Sequence, residues 1–173
     1  MRRREFVTSV LAGGIAAPAL AAQGHSHQPL EGPLANATVS FGLWQSNPPY
    51  DRFPNVSDRF RNGHQLLPHE VQIKAGGAVN FVIAGFHHVL VYAPRTEPGD
   101  IDTSMTIPVT APPGPPLIND PNGRVYRGLD PSLQPQDRVE VVHFATPGRY
   151  LVICGVLPHF VLDGMSGYVV ALP

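Results

Sequence analysis

The stretch that decides the fold runs over residues 146–172, TPGRYLVIC followed by GVLPHFVLDGM and SGYVVAL. Its first part enters through a Pro-Gly turn and has the short apolar run of a strand that ends at Cys154. A short loop then carries His159 and Met165, and residues 167–172 indicate another strand. The segment therefore predicts two strands that bring a thiol, an imidazole and a thioether to one end of a sheet.

The rest of the chain predicts further short strands and no convincing helix. Its 173 residues include 20 prolines and 17 glycines, which fall between short apolar runs. The candidate strands are 37–43, 70–74, 78–84, 88–92 and 138–144. Residues 93–137 are so rich in proline that they exclude a central strand, and they predict a long surface excursion with one short strand around 124–126. This is the pattern of an all-β sandwich with about seven to eight strands and a long Pro-rich insertion.

The N-terminus predicts an export signal, because a basic start and a weakly apolar run precede small residues at 19–21 that fit a cleavage site. The run RREFV at residues 3–7 also resembles a twin-arginine signal. We therefore expect export to a bacterial periplasm. The predicted parts of the chain are a signal peptide at 1–21, a flexible leader at 22–36 and a folded domain at 37–173.

Charge and cysteine content narrow the function. The formal net charge is −1 and there is no basic stripe, so nucleic acid is not an expected partner. The apolar run near the N-terminus is short and rich in glycine, so no stable membrane insertion is expected once the signal is removed. Cys154 is the only cysteine and cannot form an internal disulfide. A lone thiol in an oxidising compartment is a liability unless it is buried or ligated, which favours a ligand role for Cys154.

Cys154, His159 and Met165 match the donors of a mononuclear copper site. A thiolate is soft and suits Cu(I) and Zn(II), imidazoles suit either oxidation state of copper, and a distant thioether adds a weak axial contact. A second imidazole must come from elsewhere, and His87-His88 is the obvious source. Neighbouring side chains in a strand point to opposite faces, so only one of the two can face the metal. A bulge would exchange them, and the residues alone leave the choice open.

These motifs resemble those of the cupredoxins. Residues 146–154 are similar to the Pro-Gly-x-Tyr-x-x-x-Cys run of that family, residues 164–167 to its Gly-Met-x-Gly ending, and residues 84–91 to the segment around its first histidine ligand. The resemblance implies a Greek-key β-sandwich, one copper ion per chain and one-electron transfer. It puts His88 in the ligand position, and so implies that the metal ligands are His88, Cys154, His159 and Met165.

Two features depart from the family pattern. The spacing from His159 to Met165 is longer than usual, which makes Met165 the least secure ligand. The residue after His88 is Val89, where the family has an asparagine that ties the ligand loops together. Another contact must therefore rigidify the site.

The function favoured by the sequence is a one-electron carrier whose redox partner proteins dock near His159. Leu157, Pro158, Phe160 and Val161 either form an apolar collar around this histidine or pack beneath the loop. The alternative is a periplasmic copper-binding or delivery protein without redox cycling, which the leader's His-Ser-His at 25–27 supports slightly. Zinc at the same ligands is a further alternative, although zinc prefers a closed tetrahedral set. No enzyme activity and no catalytic residue are expected, because the chain has one domain and its only His-x-His motif is in the leader.

Overall fold

The computed structural model describes residues 34–42, 44–45, 51–52, 64–110 and 113–173. The predicted signal peptide and most of the predicted leader lie outside the described residues. The described residues form twelve strands, one short helix and one 3-10 turn. The strands are β1 Leu34–Phe41, β2 Trp44–Gln45, β3 Asp51–Arg52, β4 Leu66–Leu67, β5 Glu70–Ala84, β6 Val89–Tyr92, β7 Thr106–Thr110, β8 Pro113–Ile118, β9 Arg124–Arg127, β10 Asp137–His143, β11 Gly148–Cys154 and β12 Ser166–Leu172. The helix, α1, is Leu157–Val161 and the 3-10 turn is Pro98–Asp100.

The all-β sandwich predicted from the sequence is confirmed, and strand β5 joins its two layers. Residues 70–74 of β5 pair in parallel with β12, whereas residues 78–83 pair in parallel with β1 and residues 78–84 pair antiparallel with β10. One layer, sheet I, therefore has the order β4-β1-β5-β10, and the other, sheet II, has the order β5-β12-β11-β6-β9. The additional strands beyond the predicted number are the two-residue strands and the β7–β8 hairpin of the insertion.

The sequence predicts a turn at residues 75–77 between two separate strands, but the structure runs one strand through this point. Gly76 has a φ of 86°, which favours glycine. The Gly76 amide donates to the Phe144 carbonyl over 2.8 Å, and the Phe144 amide donates to the Gly77 carbonyl over 2.9 Å. These two bonds keep the backbone paired where the strand passes from sheet II to sheet I.

Gly77→Ala is expected to destabilise the fold, because a Cβ at this position would lie 1.8 Å from the Ala35 carbonyl oxygen of β1. Relief requires β1 to move away from β5, and we expect a loss of about 1–3 kcal/mol or more in the free energy of unfolding. The measurement is urea unfolding of the metal-free protein. Gly99→Ala is the matched control, since a Cβ there meets nothing within 4 Å. Equal unfolding midpoints for the two variants would contradict this account of the strand crossing.

Strands β6 and β11 are buried on both faces. Val89, Val91, Val152 and Cys154 point into the core between the sheets. The opposite faces carry a second buried cluster, which joins the insertion and α1 to sheet II and consists of Leu90, Tyr92, Ile101, Ile118, Leu151, Ile153 and Phe160. The Pro-rich insertion therefore covers sheet II, and it is not only a surface excursion. Its predicted short strand is present as β9, which pairs with β6 at the sheet edge.

Candidate metal centre

Strand β11 delivers Cys154 to the end of the sandwich, where its side chain is fully buried. Two backbone bonds fix the exit of the strand. The Cys154 amide donates to the Met165 carbonyl over 3.0 Å, and the Gly155 amide donates to the His88 carbonyl over 2.6 Å. Because both bonds come from the residues at the thiol, the position of Sγ is set by backbone pairing and not by loop flexibility.

Three donor atoms converge at this point. The Cys154 Sγ lies 3.5 Å from His87 Nδ1 and 3.7 Å from His159 Nδ1, and the two Nδ1 atoms are 3.2 Å apart. A point equidistant from the three atoms lies about 2.0 Å from each, close to the roughly 2.0–2.3 Å that nitrogen and sulfur ligands keep from a metal ion. One soft thiolate with two imidazoles suits copper. The residues present therefore fit a single metal ion.

The structure corrects the choice of His88, because His87 is the histidine that meets the thiol. Strand β6 begins only at Val89, so both histidines lie in the preceding loop, where strand alternation does not apply. Gly85 has a φ of 100°, and the His87 amide donates back to the Gly85 carbonyl over 3.0 Å. This tight turn aims the His87 ring at Cys154. The His88 ring points away and its Nε2 bonds the Gly128 carbonyl over 3.1 Å.

His88 links the metal-side loops through bonds on both its backbone and its ring. Its carbonyl accepts from Gly155, next to the thiol, while its ring reaches the insertion at Gly128. A Cβ at Gly155 would lie 2.7 Å from His88 Nδ1, so the two residues pack with no room for a side chain. His88 thus connects the loops of the site, the role that the asparagine has in the family and that Val89 cannot fill here.

Met165 is buried at the same end of the molecule, in the core cluster that contains Cys154. Its amide donates to the His159 carbonyl over 2.9 Å, and its carbonyl accepts from Cys154. Gly164, with a φ of 64°, turns the chain into this position. The backbone therefore attaches Met165 to both of the other loop residues despite the long spacing. Its role as an axial ligand remains a proposal.

A buried ion pair that the sequence analysis missed supports His87. The Arg138 Nη2 donates to the His87 carbonyl over 2.7 Å, and Arg138 pairs with Glu140 at 2.9 Å. Glu140 also accepts from the Tyr126 hydroxyl and the Leu129 amide. Both oxygens of this buried carboxylate therefore have hydrogen-bond partners, as a buried charge requires. The sequence does contain a signal for this ion pair. Glu140 lies two residues before the inward-facing Val142 of β10, so both side chains are on the buried face of the strand.

A third histidine lies at the centre, also missed because His64 comes from a loop with no strand pattern. Its ring stacks on the ring of His159, with centroids 3.7 Å apart and an interplanar angle of 19°. It also meets the His87 ring edge-on at 5.4 Å. The ligand atoms of His64, His87 and His159 all lie within 4.8 Å of one another.

Burial keeps the metal-free centre uncharged. It raises the pKa of the Cys154 thiol to about 12 and lowers the pKa of His159 to about 3. It also lowers the pKa of His87 well below its ordinary value, with the nearby His159 and His64 adding to the effect. The imidazoles are thus held in the neutral form that binds metal, and a thiolate is stable here only beside a cation.

The metal-free protein is expected to lose stability as the pH falls from about 6.5 toward 4. Burial lowers the pKa of His88 from 6.5 to about 4, so in this window the unfolded chain binds a proton there that the folded protein does not. Stability therefore rises with pH across the window, by about 1.4 kcal/mol per pH unit for each such histidine. Urea unfolding at several pH values measures the slope. His88→Gln should reduce this slope, and an unchanged slope in His88→Gln would contradict the assignment.

The fold of this chain is similar to that of known proteins, although its sequence matches none of those compared below. A scan against protein-family models gave no match, and a search of curated proteins gave none either. Several solved structures are similar. The chain resembles cupredoxins. A reduced auracyanin from Roseiflexus castenholzii is 16% identical, with 82% of this chain and 100% of that chain covered and a TM-score of 0.49.

Two further cupredoxins show the same degree of likeness. Amicyanin from Paracoccus versutus is 17% identical, with 82% of this chain and 86% of that chain covered and a TM-score of 0.41. Oxidised plastocyanin from Dryopteris crassirhizoma is 20% identical, with 78% and 99% covered and a TM-score of 0.40. At these identities the likeness concerns the fold alone, and the case for a metal rests on the side chains of the centre.

Proposed function

We propose that this chain is an exported type 1 copper protein that binds one copper ion and carries single electrons. The convergence of Cys154 Sγ, His87 Nδ1 and His159 Nδ1, at 3.2–3.7 Å from one another, is the observation that supports it. These three atoms would hold the ion, and we propose the Met165 thioether as a fourth, weaker donor. We propose periplasmic localisation through the predicted signal at residues 1–21.

The copper ion, when bound, supplies a one-electron couple between Cu(II) and Cu(I). The residues of this chain hold its surroundings constant. Cys154 and Met165 are tied by a backbone bond, and His87 is held through its carbonyl by Arg138. Fixed donors keep the reorganisation small when the charge of the centre changes by one, which suits rapid electron exchange.

We propose that redox partner proteins dock around His159. Phe160 is buried in the second cluster, so it packs beneath the loop. Val161 and Leu162 are 53% and 79% exposed and leave an apolar surface next to the ligand. An exposed apolar patch beside a redox centre suits brief docking. We propose no nucleic-acid partner and no stable membrane insertion, and no helix among the described residues is long and apolar enough to cross a membrane.

Redox cycling separates this function from copper storage or delivery. The copper-loaded full chain is expected to lose its visible colour when reduced with ascorbate and to regain it with ferricyanide, one electron per copper over repeated cycles. The measurement is a spectroscopic titration with the copper content determined in parallel. Copper that is released on reduction, or that does not return to the coloured form, would instead favour a delivery protein. Steady turnover of nitrite or dioxygen by the copper-loaded chain would instead indicate an enzyme.

A further inference from the structure

His64 contacts the metal centre from the solvent side. Its ring lies 3.7 Å from the ring of His159 in a nearly parallel stack, and its side chain is 32% exposed. Its Nε2 is 3.7 Å from a carboxylate oxygen of Asp163, in the loop between α1 and Met165. The His64 side chain thus contacts both His159, a candidate ligand, and the loop that leads to Met165.

We propose that His64 is a positioning residue that holds the His159 ring by stacking and shields the centre from external ligands. This inference rests on the proposed function. It adds a role for a histidine outside the expected ligand set. The pair with Asp163 is partly exposed and contributes little energy, so the stack is the main contact. The two rings lie nearly face to face at van der Waals distance, so one cannot move without disturbing the other.

The geometry favours stacking over ligation by His64. A metal ion binds an imidazole nitrogen along its lone pair, which lies in the plane of the ring. The rings of His64 and His159 are within 19° of parallel and 3.7 Å apart. The nitrogen lone pairs of His159 and of His64 therefore lie in two nearly parallel planes and would not point to the same ion. His64 therefore covers one face of the His159 ring and is not itself expected to bind the ion.

The test is an azide titration of the Cu(II)-loaded full chain, in the wild type and three variants. His64→Ala removes the ring, His64→Phe keeps a ring that can stack but has no nitrogen, and His69→Ala is the matched control. His69 lies outside the cluster and meets Tyr168 instead. We expect His64→Ala to bind azide more tightly than the wild type, because the ring that covers the solvent side of His159 is gone. The His64→Phe and His69→Ala proteins should behave as the wild type.

Two results would overturn the proposal. Equal azide affinity in His64→Ala and the wild type would show that the ring shields nothing. A Cu(II) spectrum altered to the same extent in His64→Phe as in His64→Ala would show that the His64 nitrogen acts, as a ligand or a hydrogen-bonding group, and not the stack.

Failure of the proposed function would be visible separately, as a wild-type Cu(II) spectrum without a thiolate band. The stack is then still tested in the metal-free protein by proton NMR. An upfield shift of the His159 ring protons should be lost in His64→Ala and retained in His64→Phe. Its absence in the wild type would count against the inference whatever the metal.

Discussion

Cys154→Ser is expected to abolish the intense visible absorption of the Cu(II)-loaded protein. That absorption requires transfer of charge from a thiolate to Cu(II), and a serine hydroxyl is a hard, weakly acidic donor that cannot supply it. The change affects one fully buried atom at the end of β11. The measurement is the visible spectrum at a known copper content, compared with the wild type.

Folding is the necessary control for this variant, because it puts a hydroxyl where a buried thiol packs. Urea unfolding of the metal-free Cys154→Ser protein should remain cooperative, because the substitution exchanges one buried atom for a smaller one and needs no backbone movement. A folded Cys154→Ser protein that keeps the full visible band would exclude the thiol as the metal donor.

Replacing His87 is expected to cost far more copper affinity than replacing His88. His87→Ala removes a donor atom 3.5 Å from the Cys154 Sγ, and we expect a loss greater than the roughly 10–100-fold that changes outside the ligand set cause. His88→Gln should keep the visible band, because the glutamine amide can still donate to the Gly128 carbonyl that His88 Nε2 now contacts. Competition with a copper chelator measures both affinities.

His87→Ala is expected to lose copper affinity, whereas His88→Gln is expected to lose stability and keep its copper. His88→Gln alters a fully buried side chain and is expected to lower the free energy of unfolding by about 1–3 kcal/mol while copper stays bound. The reverse outcome, with copper lost in His88→Gln and retained in His87→Ala, would restore the sequence-based choice of His88.

The sequence predicted that three candidate donors from one short segment lie close together. Cys154, His159 and Met165 fall within a single strand-and-loop unit, so their spacing already limits where their side chains can meet. The choice between His87 and His88 was beyond the sequence, because it depends on a turn at Gly85 that interrupts strand alternation. The glycine indicates a break in the strand pattern, but not which of the two following side chains faces the thiol.

The groups that support the site were predictable only in part. Glu140 was a charged residue in an inward-facing register, which is a usable signal for a buried ion pair. His64 had no such signal, since its contact with His159 joins two loops far apart in the chain. The tertiary contacts of the insertion were likewise not predictable from its sequence. Its prolines correctly excluded a central strand, but not the packing of Ile101 and Ile118 against sheet II.

In the proposed centre, one thiolate and two imidazoles share a single copper ion. The most direct measurement is the visible and electron paramagnetic resonance spectrum of the purified full chain with one equivalent of Cu(II). An intense visible band with a small copper hyperfine splitting is the result this arrangement of Cys154, His87 and His159 predicts. Stoichiometric Cu(II) in a colourless, tetragonal complex would contradict it.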